Sequence, residues 1–181
     1  MRGVVVYESM FGNTRVVAEA IAQALRDVMD VRLLRANAAA DVTLDEIDLL
    51  VVGAPTHGWS MPRPSTRRGA PDYVRKSGGA LTLEPGADSL AGVREWLGTL
   101  GTVHVLGAAF DTRFKGPAAL TGRASRSIIT ALRQHGVDVV VPAASYLVDR
   151  KNRLIAGEAE RAAAWGSRLA TEIVHRLKVE P

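Results

Sequence analysis

The chain has 181 residues, 47% hydrophobic and 23% charged, with a formal net charge of +4 and a pI near 9.8, an ordinary balance for a single globular domain (1–181) with a sizeable core. It has no cysteine, which excludes disulfides, thiolate nucleophiles, iron–sulfur clusters and cysteine-bound zinc, so any redox chemistry requires a bound cofactor. Its cations are dispersed and only three each of Phe, Tyr and Trp could stack on bases, which argues against a nucleic-acid partner.

The N-terminal "MRGVVVYES" reaches a polar turn too early for a secretory segment, and no apolar run of about 18 residues exists to span a bilayer. The expected compartment is the cytoplasm. Along the chain, apolar runs alternate with amphipathic stretches at the spacing of βα units. Residues 3–7 (GVVVY), 31–34 (VRLL), 48–54 (DLLVVGA), 103–110 (VHVLGAAF) and 137–148 (VDVVVPAASYLV) are short and mostly apolar throughout, as strands of a parallel sheet covered on both faces would be. Between the first two, Val16, Val17, Ala20, Ile21, Ala24, Leu25 and Val28 recur at helical spacing. Residues 41–46 hold at most a weak helix. Leu90, Val93, Leu97 and Leu100 form a second stripe, Ile128, Ile129 and Leu132 a third, and Ala162, Trp165, Leu169, Ile173 and Leu177 a last one over 158–177. Residues 55–88 differ in kind. They carry most of the proline and the cations Arg63, Arg67, Arg68, Arg75 and Lys76 without steady periodicity, which predicts a long basic Pro/Gly-rich loop at about 62–88.

The first strand runs into "YESMFGNT", residues 7–14, directly before a helical stripe. A parallel sheet binds ligands beyond the carboxyl ends of its strands, where the strand order reverses. A turn into a helix N-terminus presents free backbone N–H groups and the positive end of the helix dipole, which hold a phosphate without a cationic side chain. Ser9, Asn13 and Thr14 add donors and Gly12 a permissive backbone. A nucleoside-triphosphate loop would need a lysine before Ser or Thr, and a dinucleotide loop G-x-G-x-x-G; neither occurs. A single terminal phosphate fits better, with ordinary helix capping as the alternative.

"VVYESMFGNTRVVAEAI", residues 5–21, resembles the phosphate-loop signature of the flavodoxin family. "GAPTHGW" after the third strand resembles that family's G-x-x-T-aromatic-G turn, and "AAFDTRF" after the fourth its turn with an aspartate followed three residues later by an aromatic. "LIAGEAERAAAWGSRLA" is similar to its last loop and helix. The resemblance implies an α/β fold, a flavodoxin-like doubly wound sheet of five parallel strands in the order 2-1-3-4-5 with helices on both faces, binding FMN non-covalently at the carboxyl edge. It makes Ser9, Met10, Phe11, Gly12, Asn13 and Thr14 the phosphate turn. Pro55, Thr56, His57, Gly58 and Trp59 become the second contact, with His57 beside the inner face of the isoalloxazine and Gly58 facing flavin N5. Phe110, Asp111, Thr112 and Phe114 become the third, with Phe114 the outer stacking ring and Asp111 near the ribityl chain or the pyrimidine edge.

Met10 and Phe11 stand where flavodoxins offer hydroxyls, which shifts the phosphate onto backbone N–H groups, and "SM-aromatic-G" is closer to the flavodoxin-like quinone reductases. His57 replaces the inner aromatic and can carry charge near neutral pH; Trp59 is the alternative stacking surface, or a rim aromatic. His104 is expected inside a strand and His135 and His175 near helix ends, and the four histidines show no metal-ligand spacing. The expected function is FMN-binding electron transfer or oxidoreduction, with a redox protein or a small-molecule acceptor as partner. An NAD(P)H-dependent quinone reductase and a non-catalytic module that kept the fold are the alternatives, and no catalytic residue is singled out. The basic loop reverses the acidic surface of flavodoxins that act as mobile carriers. It would receive an acidic redox partner, the phosphates of a nicotinamide cofactor or an anionic substrate, or else is simply solvated.

Overall fold

A computed structural model describes residues 1–40, 43–44, 46–89 and 91–179. Its strands are β1 (Arg2–Tyr7), β2 (Asp30–Arg35), β3 (Leu49–Pro55), β4 (Leu106–Phe114), β5 (Asp138–Val139) and β6 (Ala144–Val148). Its helices are α1 (Asn13–Leu25), α2 (Pro64–Arg68), α3 (Ala70–Lys76), α4 (Val93–Leu97), α5 (Ala118–Thr121), α6 (Ala124–Gln134) and α7 (Glu158–Val179). The strands form one parallel sheet in the order β2-β1-β3-β4-β5, with β6 also paired to β4. The flavodoxin-like order 2-1-3-4-5 is therefore present, with the fifth strand in two pieces. Five steps along this edge, from Val139 to Ala144, face three along β4, from Gly107 to Phe110. Pro142 lies in the interruption; it has no N–H to give, and an edge tolerates such a bulge.

The valine-rich strands are buried on both faces because alternate residues enter two separate cores. Val5, Tyr7, Leu49, Val51 and Phe110 pack under α1 and α7, against Val17, Ile21, Leu25, Trp165, Leu169 and Ile173. Val4, Val6, Leu50, Val52 and Ala54 face α4 and α6, against Val93, Trp96, Leu97, Ile128 and Leu132. Each fully buried Leu, Ile or Val contributes about 1.5–3 kcal/mol to this two-sided core. On α1 the covered face is centred on Val17, Ala18, Ile21, Ala22 and Leu25, so Val16, expected in the stripe, lies at its exposed margin, and Val28, also expected there, is exposed beyond the helix end. His104 is also exposed, in the segment before β4, rather than inside a strand. Of the expected weak helix at 41–46, Asp41, Val42 and Asp45 lie outside the described residues, as does Leu90 of the second stripe.

The segment at 62–88 is more regular than its composition predicts, although four of its five cations, Arg63, Arg68, Arg75 and Lys76, are exposed. It folds into α2 and α3, with Pro64 and Pro71 in their first turns, where a missing N–H costs nothing. It packs Ala70, Leu83 and Ala87 onto Met10 and Phe11. Arg67 is 1% exposed. Its Nε donates to Glu8 Oε1 at 2.7 Å, and its Nη2 reaches Glu8 Oε2 at 3.2 Å and Glu95 Oε2 at 2.7 Å. Glu8 Oε2 also accepts the Val93 N–H at the start of α4, at 3.0 Å. One guanidinium thus ties the end of β1, α2 and α4 together. Burial opposes the charge on Arg67, but its bonds to Glu8 and Glu95 outweigh that and raise its pKa further. Burial also works against ionised Glu95, and the Arg67 guanidinium and the Gly92 N–H override it, holding the carboxyl below its ordinary value.

Candidate functional site

A cavity of about 330 Å³ opens at the carboxyl edge of the sheet, within the size range of small-molecule and cofactor pockets. Three of its walls are the three segments singled out in the sequence. Ser9, Met10, Phe11, Asn13 and Thr14 come from the turn into α1, Pro55, Thr56 and His57 from the end of β3, and Thr112 and Phe114 from β4. A fourth wall, missed by the sequence reading, is Thr66, Gly69, Ala70 and Tyr73 of the α2–α3 segment, and Arg113, Val148 and Asn152 complete the lining. Tyr73 meets Phe11 ring to ring at 5.8 Å. The backbone N–H of Glu84 donates to the Met10 carbonyl at 2.8 Å, fastening the segment to the turn.

The turn into α1 is built on Gly12, whose φ of +90° is open to glycine at little cost and strained for other residues. Its N–H donates to Ser9 Oγ at 3.1 Å, and no side chain caps the helix. The first turn of α1 holds no acidic residue. Glu84, whose carboxylate approaches Gly12, is neutralised by Arg15 at 3.1 Å and by Arg35. Asn13 is committed on both sides of its amide: Nδ2 donates to the Asn152 carbonyl, and Oδ1 accepts the Leu154 N–H, both at 2.9 Å. Thr14 Oγ1 and Thr112 Oγ1 lie 2.7 Å apart; the pair carries two hydroxyl protons and needs one for its own bond, so one O–H is left to donate. Ser9, accepting from Gly12, likewise keeps its own proton.

After β3, His57 and Ser60 exchange both backbone hydrogen bonds, at 2.8 and 3.2 Å, around Gly58 and Trp59, whose φ values are +54° and +68°. This is the double left-handed geometry of a type I′ turn. Gly58 adopts it freely; Trp59 does not. The turn leaves His57 on the cavity wall and carries Trp59 outside it, 65% exposed on the rim.

Two groups expected at the cofactor are turned away from the cavity. Phe110 is fully buried, because its ring lies across β3 at Gly53, where a Cβ would sit 2.0 Å from Phe110 Cζ. Asp111 is fully buried on the other side, with Oδ2 accepting the Ser125 N–H at 2.9 Å and the Ser125 hydroxyl at 2.6 Å. Thr56 Oγ1 accepts the Ala124 N–H at 3.0 Å. Thr56 and Asp111 together cap the N-terminus of α6, satisfying donors that would otherwise be orphaned. Thr56 still lines the cavity.

The charge that His57 could carry near neutral pH is disfavoured. Burial, and after it the Arg67 guanidinium, push its pKa down from 6.5 to about 4. Arg67 itself is neutralised by Glu8 and Glu95, so neither group supplies the free positive charge foreseen beside the cavity. A proton NMR titration is expected to find the His57 ring neutral at about pH 6–8. The unfolded chain, with an ordinary histidine, binds the proton more readily, so this group makes stability rise with pH from about 4 to 6.5. The full effect is up to roughly 3 kcal/mol. A ring titrating near 6.5 would contradict this.

Residues 4–67 match the family model of the flavodoxin domain. Among solved structures, a flavodoxin from the domain Archaea is 21% identical with a TM-score of 0.63, covering 97% of this chain and 100% of its own. Flavodoxin 1 from Bacillus cereus is 18% identical with a TM-score of 0.63, covering 97% and 98%. A flavodoxin, WrbA-like protein from Agrobacterium tumefaciens is 19% identical with a TM-score of 0.59, covering 96% and 98%. No curated protein matches the sequence. The sheet order, the cavity at its carboxyl edge and the match over 4–67 agree: the chain has the flavodoxin-like fold, and its first third matches the flavodoxin domain.

Proposed function

We propose that the chain, as one flavodoxin-like domain over 1–181, binds FMN non-covalently in the carboxyl-edge cavity and serves in the cytoplasm as an electron-transfer or oxidoreductase protein. The observation that carries this reading is the composition of the cavity. A helix start with no acidic residue in its own first turn, and with the nearby Glu84 paired to Arg15 and Arg35, lies at one side, and the walls contributed by Met10, Phe11, Pro55, Tyr73 and Phe114 are apolar. Such a donor set suits a terminal phosphate, and such walls suit a planar ring.

The phosphate would be held by the backbone N–H groups opening α1, with the remaining hydroxyl protons of Ser9 and of the Thr14–Thr112 pair as further donors. Asn13 acts differently from the expected phosphate ligand: its amide positions the turn against Asn152 and Leu154. His57, neutral at pH 7, offers one ring N–H and one acceptor nitrogen. Tyr73 and Thr66 would form the wall on the α2–α3 side of the bound ring. When bound, FMN supplies one- or two-electron transfer, while the protein supplies position and electrostatics.

No helix among the described residues is long and apolar enough to cross a membrane. The reading is tested by titrating the protein with FMN and following flavin fluorescence and the visible absorption band. Quenching with a shifted band is expected; free-flavin spectra at every ratio would reject it.

A further inference from the structure

The carboxyl edge carries a feature that lies mostly outside the cavity and shares only Phe114 with it. Trp59 stands 65% exposed with φ of +68°, a left-handed backbone that is strained for a non-glycine residue. It is held there by close backbone approach: the Arg123 N–H donates to the Trp59 carbonyl at 3.3 Å, and a Cβ on Gly122 would lie 2.2 Å from the Trp59 Cα. Of the three tryptophans, Trp96 and Trp165 are buried, so this indole is the one that the cores do not use. Leu120, 70% exposed, and Phe114, 43% exposed, stand on the same edge. A second hollow beside Trp59 is lined by Ala118, Ala119, Arg123, Arg126 and Ser127.

The cations around these apolar groups are Lys115, Arg123, Arg126, Arg150 and Lys151, all exposed. None makes an ion pair among the described residues, which leaves this part of the surface positive. Asp149 is the acidic residue in the β6 loop and is already paired with Arg153.

We propose that this rim, with Trp59, Leu120 and Phe114 at its centre and unpaired cations around them, docks an acidic protein. As the redox partner of the flavin site, that protein rests on the function proposed above; the surface itself does not. An apolar centre with a charged margin is the anatomy of a protein–protein interface, and the margin selects a partner of opposite sign. A second copy of this chain would bring the same positive rim and be repelled. A nucleic acid would use the cations but not the aliphatic Leu120.

The probe is a plant-type [2Fe–2S] ferredoxin of net negative charge, compared with a positively charged cytochrome c and an oligo-dT strand, each titrated against the intact protein. The ferredoxin is expected to bind at about 20 mM salt and to weaken at least about tenfold by about 200 mM. Arg123→Glu with Arg126→Glu should weaken it by a similar factor while leaving the FMN titration unchanged. Trp59→Gly should weaken it with the salt dependence kept and the melting temperature not lowered, since glycine accepts the left-handed backbone. Absence of ferredoxin binding at low salt, cytochrome c or oligo-dT binding as tightly, or full affinity in either variant would overturn the proposal. Ferredoxin binding to a protein that takes up no FMN would instead leave the surface standing and remove the flavin reading.

Discussion

Arg67→Ala is expected to destabilise the protein by about 3–5 kcal/mol, because removing one partner of a buried ion pair leaves the other charge uncompensated. Glu8 is 8% exposed and Arg67 is 1% exposed, and among the described residues Glu8 would keep only the Val93 N–H as a side-chain partner. The damage should not stay local, since Arg67 fastens α2, and through it the Tyr73 wall of the cavity, to β1 and α4. Arg67→Lys should recover little, because a single ammonium cannot reproduce bonds from Nε and Nη2 to the two oxygens of Glu8. The double variant Arg67→Met with Glu8→Gln should be milder than Arg67→Ala, as it removes both charges together. Urea unfolding measures all three; a loss below about 1 kcal/mol in Arg67→Ala would mean that the pair is solvated. The same substitution removes a cation that disfavours protonated His57, so the His57 pKa should rise.

Asp111→Ala should cost about 2–4 kcal/mol, since it orphans the N–H and hydroxyl of Ser125 inside the core. Asp111→Asn should be tolerated, because its amide oxygen can accept both bonds. Burial raises the Asp111 pKa, only partly offset by the Ser125 bonds. The folded state therefore holds this proton more tightly than the unfolded chain does. The contribution of Asp111 to stability is fully present below its unfolded pKa of 3.8 and declines as pH rises through the folded value. In Asp111→Asn that decline should vanish, which a series of melts from acid to neutral pH would detect. Equal losses in the alanine and asparagine variants would show that the charge, rather than the acceptor, is what α6 requires.

The parts of the fold that were legible in the sequence are those whose pattern is local. The runs at β1 and β3 are apolar throughout because both faces are covered, and of the expected α7 stripe Ala162, Trp165, Leu169 and Ile173 are buried while Leu177 is partly buried against them. The segment at 62–88 was illegible because α2 and α3 have five and seven residues, too few for a stripe, and because what orders them is a contact between Arg67 and Glu8, distant in sequence. A buried arginine and a solvated one look alike in composition. In the candidate site, the turn at Ser9–Thr14 and the segments after β3 and β4 could be named, but not the direction of each side chain. Asp111 and Phe110 are adjacent on β4 and so point to opposite faces, one to the cap of α6 and the other across Gly53. His57 was identified as a wall residue, while its neutrality depends on burial and on Arg67, which the sequence does not bring near it.

A phosphate-recognising flavin cavity is tested most directly by comparing FMN with riboflavin, which differ by the phosphate alone, in one fluorescence titration. Backbone donors at the start of α1 should make FMN bind at least about tenfold tighter, a difference of about 1.4 kcal/mol or more. Equal affinities for the two would contradict it.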